Sequence, residues 1–130
     1  MPRAWSLTLV LMGLAACADG AQVGQSAYPP AYLGIQTRLL HDDLVNVRVA
    51  VRGAESRQQV VDYTTCAAAQ YALIRGFGFA RHVRTSVDQD GAIARGDAVY
   101  TISPEVPPGV ATIDAEVTVR DCGVRGIPTV

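Results

Sequence analysis

The chain has 130 residues with a formal net charge of -1, 49% of them hydrophobic. That length leaves room for one small domain. The basic side is all arginine, without a basic run or interleaved aromatics, so the composition argues against a nucleic-acid partner.

The first residues, Met1-Pro2-Arg3, carry one positive charge, and an apolar run from Ala4 to Ala16 follows. A charged start before an apolar stretch has the layout of a secretory signal. The run is about 13 residues, against roughly 20 for a helix that crosses the hydrocarbon core. Leu14-Ala15-Ala16-Cys17 then gives an aliphatic residue, two small residues and a cysteine.

That stretch resembles the lipobox of bacterial lipoproteins. The resemblance implies a signal peptide over 1–16, cleavage before Cys17, and lipid (diacylglyceryl and palmitate chains) on Cys17. An ordinary signal peptide with Cys17 incidental, or an uncleaved anchor helix, is the competing reading. One acyl chain holds only reversibly, whereas two or three hold firmly. The resemblance therefore implies a membrane partner reached through lipid and a domain facing the periplasm. Ala18, rather than an aspartate, follows the cysteine, and the same resemblance then implies the outer membrane over the inner.

Residues 17–35 are rich in Gly, Ala, Pro, Gln and Ser without a periodic apolar face, and read as a lipidated N-terminus and flexible tether. Tyr28-Pro29-Pro30-Ala31-Tyr32 reads as a spacer within it. A single domain over 36–130 is expected. His41-Asp42-Asp43 is a compact ionisable cluster, best read as a polar turn before the first strand. Leu44 to Arg52 alternates strictly: Val45, Val47, Val49 and Val51 point one way, with Arg48 and Arg52 on the other, which predicts a half-buried strand.

Ser56 is a candidate N-cap, and Gln59 makes a weak capping box. Val60, Thr64, Ala67, Tyr71 and Ile74 fall at helical spacing, which predicts a helix from about 56 to 75 that stops at Gly76. Phe77 to Val87 alternates with Arg81 and Thr85 as exceptions. Asp88 to Gly91 signals a turn, Gly96-Asp97 interrupts the next stretch, and Ala98 to Ser103 resumes it. Pro104 to Gly109 reads as loop. Ala111 to Arg120 alternates cleanly, with Ile113, Ala115, Val117 and Val119 inward, and predicts the last strand.

The expected order is β-α-β-β-β. This is an α+β two-layer sandwich of one helix on a mainly antiparallel sheet of about four strands. The pattern VRVAVRG (47–53), a spacer, then VVDYTTCAAAQYALIRGFGFARHV (60–83) resembles small uncharacterised proteobacterial envelope lipoproteins.

With Cys17 assigned to lipid, Cys66 and Cys122 remain, and the compartment is oxidising. One intramolecular disulfide is the leading pairing. It would close a loop of about 57 residues, worth roughly 4 kcal/mol on the chain-entropy model, and would staple helix to sheet. Buried free thiols and bonds to other chains are the alternatives.

The residues offer no catalytic set: there is no phosphate loop, nucleophile elbow, Cys-x-x-Cys pair or pair of acid–base glutamates. No metal site or other cofactor is expected, because neither cysteine has a neighbour at ligand spacing. His82 and Arg84 are expected on the open sheet face with Arg48 and Arg52. Such a face suits phosphate or carboxylate groups, though a solvated face is the plainer reading. The sequence thus points to a non-enzymatic envelope lipoprotein with a protein partner in the envelope. The alternative is a binding module for a small anionic ligand such as lipopolysaccharide or a peptidoglycan fragment.

Overall fold

The computed structural model describes residues 29–109 and 111–130. Its elements are β1 (Ala31–His41), β2 (Leu44–Arg52), α1 (Arg57–Ile74), β3 (Phe79–Asp90), β4 (Ile93–Ser103), β5 (Thr112–Asp114) and α2 (Ala115–Arg125). The strands form one antiparallel sheet in the order β1-β2-β4-β3-β5. Both helices belong to an α+β fold, as expected, with one strand and one helix more than the sequence pattern implies.

The valine strand places the core. Val45, Val47, Val49 and Val51 are at most 4% exposed. Across the ladder they meet Tyr100, Ala98, Gly96 and Ala94 of β4. α1 crosses this face, burying Val60, Tyr63, Thr64, Ala67, Ala68 and Ala72. Its small side chains let the helix axis come close to the sheet. The expected helix face holds through Tyr71, partly buried against the core, but Ile74 is 60% exposed, and Leu73 packs inward at the end of the helix instead. Ser56 caps the helix by accepting from the Gln59 amide at 3.1 Å. Gln59 Oε1 reaches back to the Glu55 amide at 2.9 Å, one residue earlier than a standard capping box.

The chain leaves β2, passes along α1 and returns as β3. β4 pairs with both strands, so β2 and β3 run parallel with β4 inserted between them, a split βαβ arrangement. The expected break at Gly96-Asp97 does not occur, since both residues lie inside β4. A Cβ on Gly96 would stand 2.8 Å from Val60 Cγ1. The glycine marks the close approach of helix to sheet rather than a turn.

β1 was not expected as a strand. It begins at Ala31, inside the segment read as tether, and pairs with β2 along its length. Tyr32 is no spacer residue: its ring packs edge-on against Tyr63, with centroids 4.7 Å apart. Asp42-Asp43 makes the tight turn to β2, as the polar-turn reading has it.

The larger correction concerns the end of the chain. Of the predicted strand 111–120, only Thr112–Asp114 is strand, and the rest begins α2. Ala115, Val119 and Cys122 stand at i, i+4 and i+7. Ala115 and Cys122 are buried, whereas Val117, which alternation would turn inward, is 55% exposed. Asp114 caps α2 by accepting from the Val117 amide at 3.1 Å, and Gly126 ends it in the left-handed region at φ 69°.

Cys66 and Cys122 are joined by a disulfide with Cα atoms 6.0 Å apart. Because Cys122 lies on α2, the staple joins helix to helix and not helix to sheet. Arg125 of α2 adds an ion pair to Asp62 of α1.

Candidate functional site

α1 covers one face of the sheet, and among the described residues the other is left open. Residues directly opposite in a ladder share a face, so the register assigns that open face row by row. Gln36, Arg48, Asp97 and Ser86 make one row across β1, β2, β4 and β3. On one side of it runs the row Arg38, Asn46, Val99, Arg84, and on the other the row Gly34, Ala50, Arg95, Asp88. Arg52 and Ile93 follow, and Arg81 stands opposite Thr101 at the far end.

Arg48, Arg52 and Arg84 therefore do share the open face. β2 and β3 are not neighbours, however. β4 separates them and supplies Asp97 between Arg48 and Arg84. Arg48 Nε donates to Asp97 Oδ2 at 3.1 Å, and Arg84 Nη1 lies 3.9 Å from Oδ1. Asn46 Nδ2 donates to the same carboxylate at 2.8 Å and to the Ala98 carbonyl at 3.0 Å. Asp97 thus fixes the direction of the Arg48 fork. Both arginines are well exposed, so these pairs contribute little stability, on the order of 0–1 kcal/mol each.

His82 does not belong to this face. The β3–β4 register shifts between His82 and Arg84, a bulge at Val83. The extra residue reverses the alternation, and His82 comes to lie opposite Tyr100, on the side facing α1. There its ring packs edge-on against Tyr100, with centroids 5.3 Å apart, and Nε2 hydrogen-bonds Thr85 Oγ1 at 2.7 Å. The same bulge explains why Arg81 and Thr85 break the alternation of β3: Phe79 and Arg81 face out, while Thr85 and Val87 face the helix.

Tyr100 anchors the other side of the sheet. Its hydroxyl hydrogen-bonds Thr64 Oγ1 at 2.9 Å and Thr65 Oγ1 at 3.1 Å. Burial pushes its pKa above the ordinary tyrosine value, opposed by those threonine hydrogen bonds.

Three further arginines reach the open face unannounced by the sequence pattern. Arg38 lies on β1, whose strand the pattern did not announce, Arg95 before the apparent break at Gly96, and Arg81 behind the bulge. The alternation of Gln36 with Arg38 and of Arg95 with Asp97 was the available signal. Among the described residues Arg38, Arg52 and Arg95 have no carboxylate within 4 Å. Among these residues there is also no group of three His, Cys, Asp or Glu side chains able to hold a metal.

Residues 32–126, nearly the whole sheet-and-helix unit, match the family model of the YNQ4 C-terminal domain. The chain belongs to that family. The matched span runs from the second residue of β1 to the cap of α2, so the two elements the alternation missed are inside the family unit. The "Uncharacterized 26.9 kDa protein in nqo8 5'region" of Paracoccus denitrificans is 34% identical over 87 residues. That overlap takes in 67% of this chain and 34% of the relative, so the chain spans about a third of the relative's length. Both findings fit the resemblance to small uncharacterised proteobacterial proteins. No solved structure matches the chain.

Leu14-Ala15-Ala16-Cys17 lies outside the described residues. Among the described residues no helix is long and apolar enough to cross a membrane.

Proposed function

We propose that this chain is a lipid-anchored envelope lipoprotein, facing the periplasm, whose domain works by binding a partner in the envelope rather than by catalysis. The observation that carries the reading is the division of its three cysteines. Cys66 and Cys122 are spent on one disulfide, a bond suited to an oxidising compartment. Cys17 alone is left over, and it stands in the sequence that resembles a lipobox. Lipid on Cys17, with thirteen residues between it and Ala31, holds the domain close to the membrane surface.

The proposal is tested by growth with labelled palmitate. The wild-type chain should take up label and run at the mature size, and Cys17→Ser should do neither. Label retained by Cys17→Ser would refute it. Fractionation of the labelled protein, expected in the outer membrane, tests the Ala18 argument separately.

A second reading is favoured by the register of the sheet: the open face binds a small anionic envelope ligand. β1 to β4 bring Arg38, Arg48, Arg52, Arg81, Arg84 and Arg95 to one side. Three aspartates, Asp88, Asp90 and Asp97, accompany them, so the face keeps a positive surplus. Titration with lipopolysaccharide or muropeptide fragments should show binding that weakens in the Arg48→Ala, Arg84→Ala double variant. Unchanged binding in that variant would remove this reading.

A further inference from the structure

The open face is not uniform. Ala50 of β2 has Arg48 and Arg52 two residues away on either side, pointing the same way. Its partner on β1 is Gly34, which has no side chain, and its partner on β4 is Arg95. A depression of about 570 Å³ lies here, with Gly34, Ala50, Gln36, Arg48 and Arg95 among its lining residues; Arg52 stands beyond that lining, one same-face position along β2 from Ala50. A Cβ placed on Gly34 would meet nothing within 4 Å, so the space above the floor is open. Leu33, 42% exposed, adds an apolar rim.

Directly opposite Cβ atoms in a ladder stand about 4.5–5.5 Å apart, and same-face neighbours on one strand about 6.6 Å apart. Three arginines therefore root around one methyl group, on three of its sides. Their guanidinium forks suit oxyanions. Arg48 is oriented by Asp97, whereas Arg52 and Arg95 keep their donors free of carboxylate partners among the described residues. The depression also has a competitor: Asp88, opposite Arg95 on β3, lines it, as does Asp97.

We propose that Ala50 is the floor of a phosphate site, with Arg48, Arg52 and Arg95 on three sides of the group and Gln36 donating from β1. This rests on the anionic-ligand reading and sharpens it. A planar carboxylate is satisfied by one or two forks, whereas a tetrahedral phosphate dianion presents oxygens in three directions. The Leu33 rim suits a phosphate carried on an apolar body, as in a lipid headgroup.

The test uses the full chain carrying Cys17→Ser, disulfide intact, in zwitterionic micelles. The probes are inorganic phosphate, dihexanoyl phosphatidic acid and dihexanoyl phosphatidylcholine, and the readout is the Nε–Hε NMR signals of the arginines. Phosphate and phosphatidic acid should shift the Arg52 and Arg95 signals, and phosphatidylcholine should not. Arg52→Ala and Arg95→Ala should each weaken binding by about tenfold or more, as expected for loss of a charge-assisted hydrogen bond. Asp88→Asn should tighten it. Ala50→Leu, a surface change that fills the floor, should abolish it while the fold remains.

Tighter binding of phosphatidic acid than of inorganic phosphate assigns the site to a lipid headgroup. Equal binding assigns it to free phosphate and upholds the site. Binding that is lost in Arg84→Ala but survives Arg52→Ala, Arg95→Ala and Ala50→Leu overturns the site and leaves the face reading standing. Absence of binding by both phosphate probes overturns the site, while the face reading then stands or falls on the muropeptide titration.

Discussion

Gly96 on β4 lies directly beneath Val60 of α1, and a Cβ on the glycine would sit 2.8 Å from Val60 Cγ1, 3.0 Å from Val49 Cγ2 and 3.2 Å from Thr64 Cγ2. The helix and the two central strands meet at this point without room for a methyl group. Gly96→Ala should therefore cost about 1–3 kcal/mol, the usual cost of overpacking a core. Val60→Ala in the same chain should return part of the loss, because it removes the nearest obstacle. Urea midpoints of the two single variants and the double variant measure this. A Gly96→Ala chain as stable as wild type would mean that helix and sheet pack less closely than described.

The disulfide should matter most for α2. Among α2 residues only Ala115 and Cys122 are buried, so the helix has little apolar surface of its own to hold it down. The double variant Cys66→Ala, Cys122→Ala should lose about 2–5 kcal/mol. Amide hydrogen exchange should show α2 opening before the sheet does. Equal loss of protection in α2 and β2 would argue that the bridge stabilises the fold as a whole instead.

Tyr100 makes stability fall in alkali. Its pKa is raised in the folded state, mainly by burial, so the folded chain favours the neutral phenol more than the unfolded chain does. That contribution is fully present below the ordinary tyrosine pKa of about 10 and is lost as pH rises through the higher folded value. Unfolding free energy should decline above about pH 10, and Tyr100→Phe should decline less steeply. Tyr63 is shifted the same way, chiefly by burial, so the slope should be reduced and not removed. At neutral pH the same variant should lose about 1 kcal/mol, for the hydrogen bonds to Thr64 and Thr65. Parallel pH curves for wild type and Tyr100→Phe would contradict the assignment.

Asp97 should act on the charge of the open face more than on stability. Asp97→Asn keeps an acceptor for Asn46 but removes the charge shared by Arg48 and Arg84. Thermal unfolding should move little, by less than about 1 kcal/mol equivalent. Anionic probes should bind more tightly and with a steeper dependence on salt. A large loss of stability would show that Asp97 holds the sheet together.

Much of the fold was legible because its signals are local. The four valines of β2 alternate without exception, and the α1 boundaries follow from the Ser56 cap and the glycine after Arg75. Cys66 and Cys122 were the leading pair once the lipobox resemblance set Cys17 aside. What local signals missed were two elements whose patterns fit a second state. Ala115 and Val119 satisfy both a two-residue and a helical period. Only the exposure of Val117 and the buried bridge to Cys66 separate the two, and both are properties of the packed molecule. β1 follows two prolines and contains a glycine and two register shifts, so its composition imitates a linker. Pairing with β2 supplies the order that its own residues do not.

The candidate site divides along the same line. The sequence by itself determined which residues carry charge, that Arg48 and Arg52 leave β2 on the side away from the valines, and that two cysteines besides Cys17 were available for one bridge. Strand order and register decided the rest. They set Asp97 between Arg48 and Arg84, brought Arg95 and Gly34 to either side of Ala50, and turned His82 to the helix side through one extra residue at Val83. Alternation within a strand is dictated by backbone geometry that every residue carries. Which strand lies beside which, and in what phase, depends on contacts between residues far apart in the chain, and these form only when the whole sheet has closed under α1.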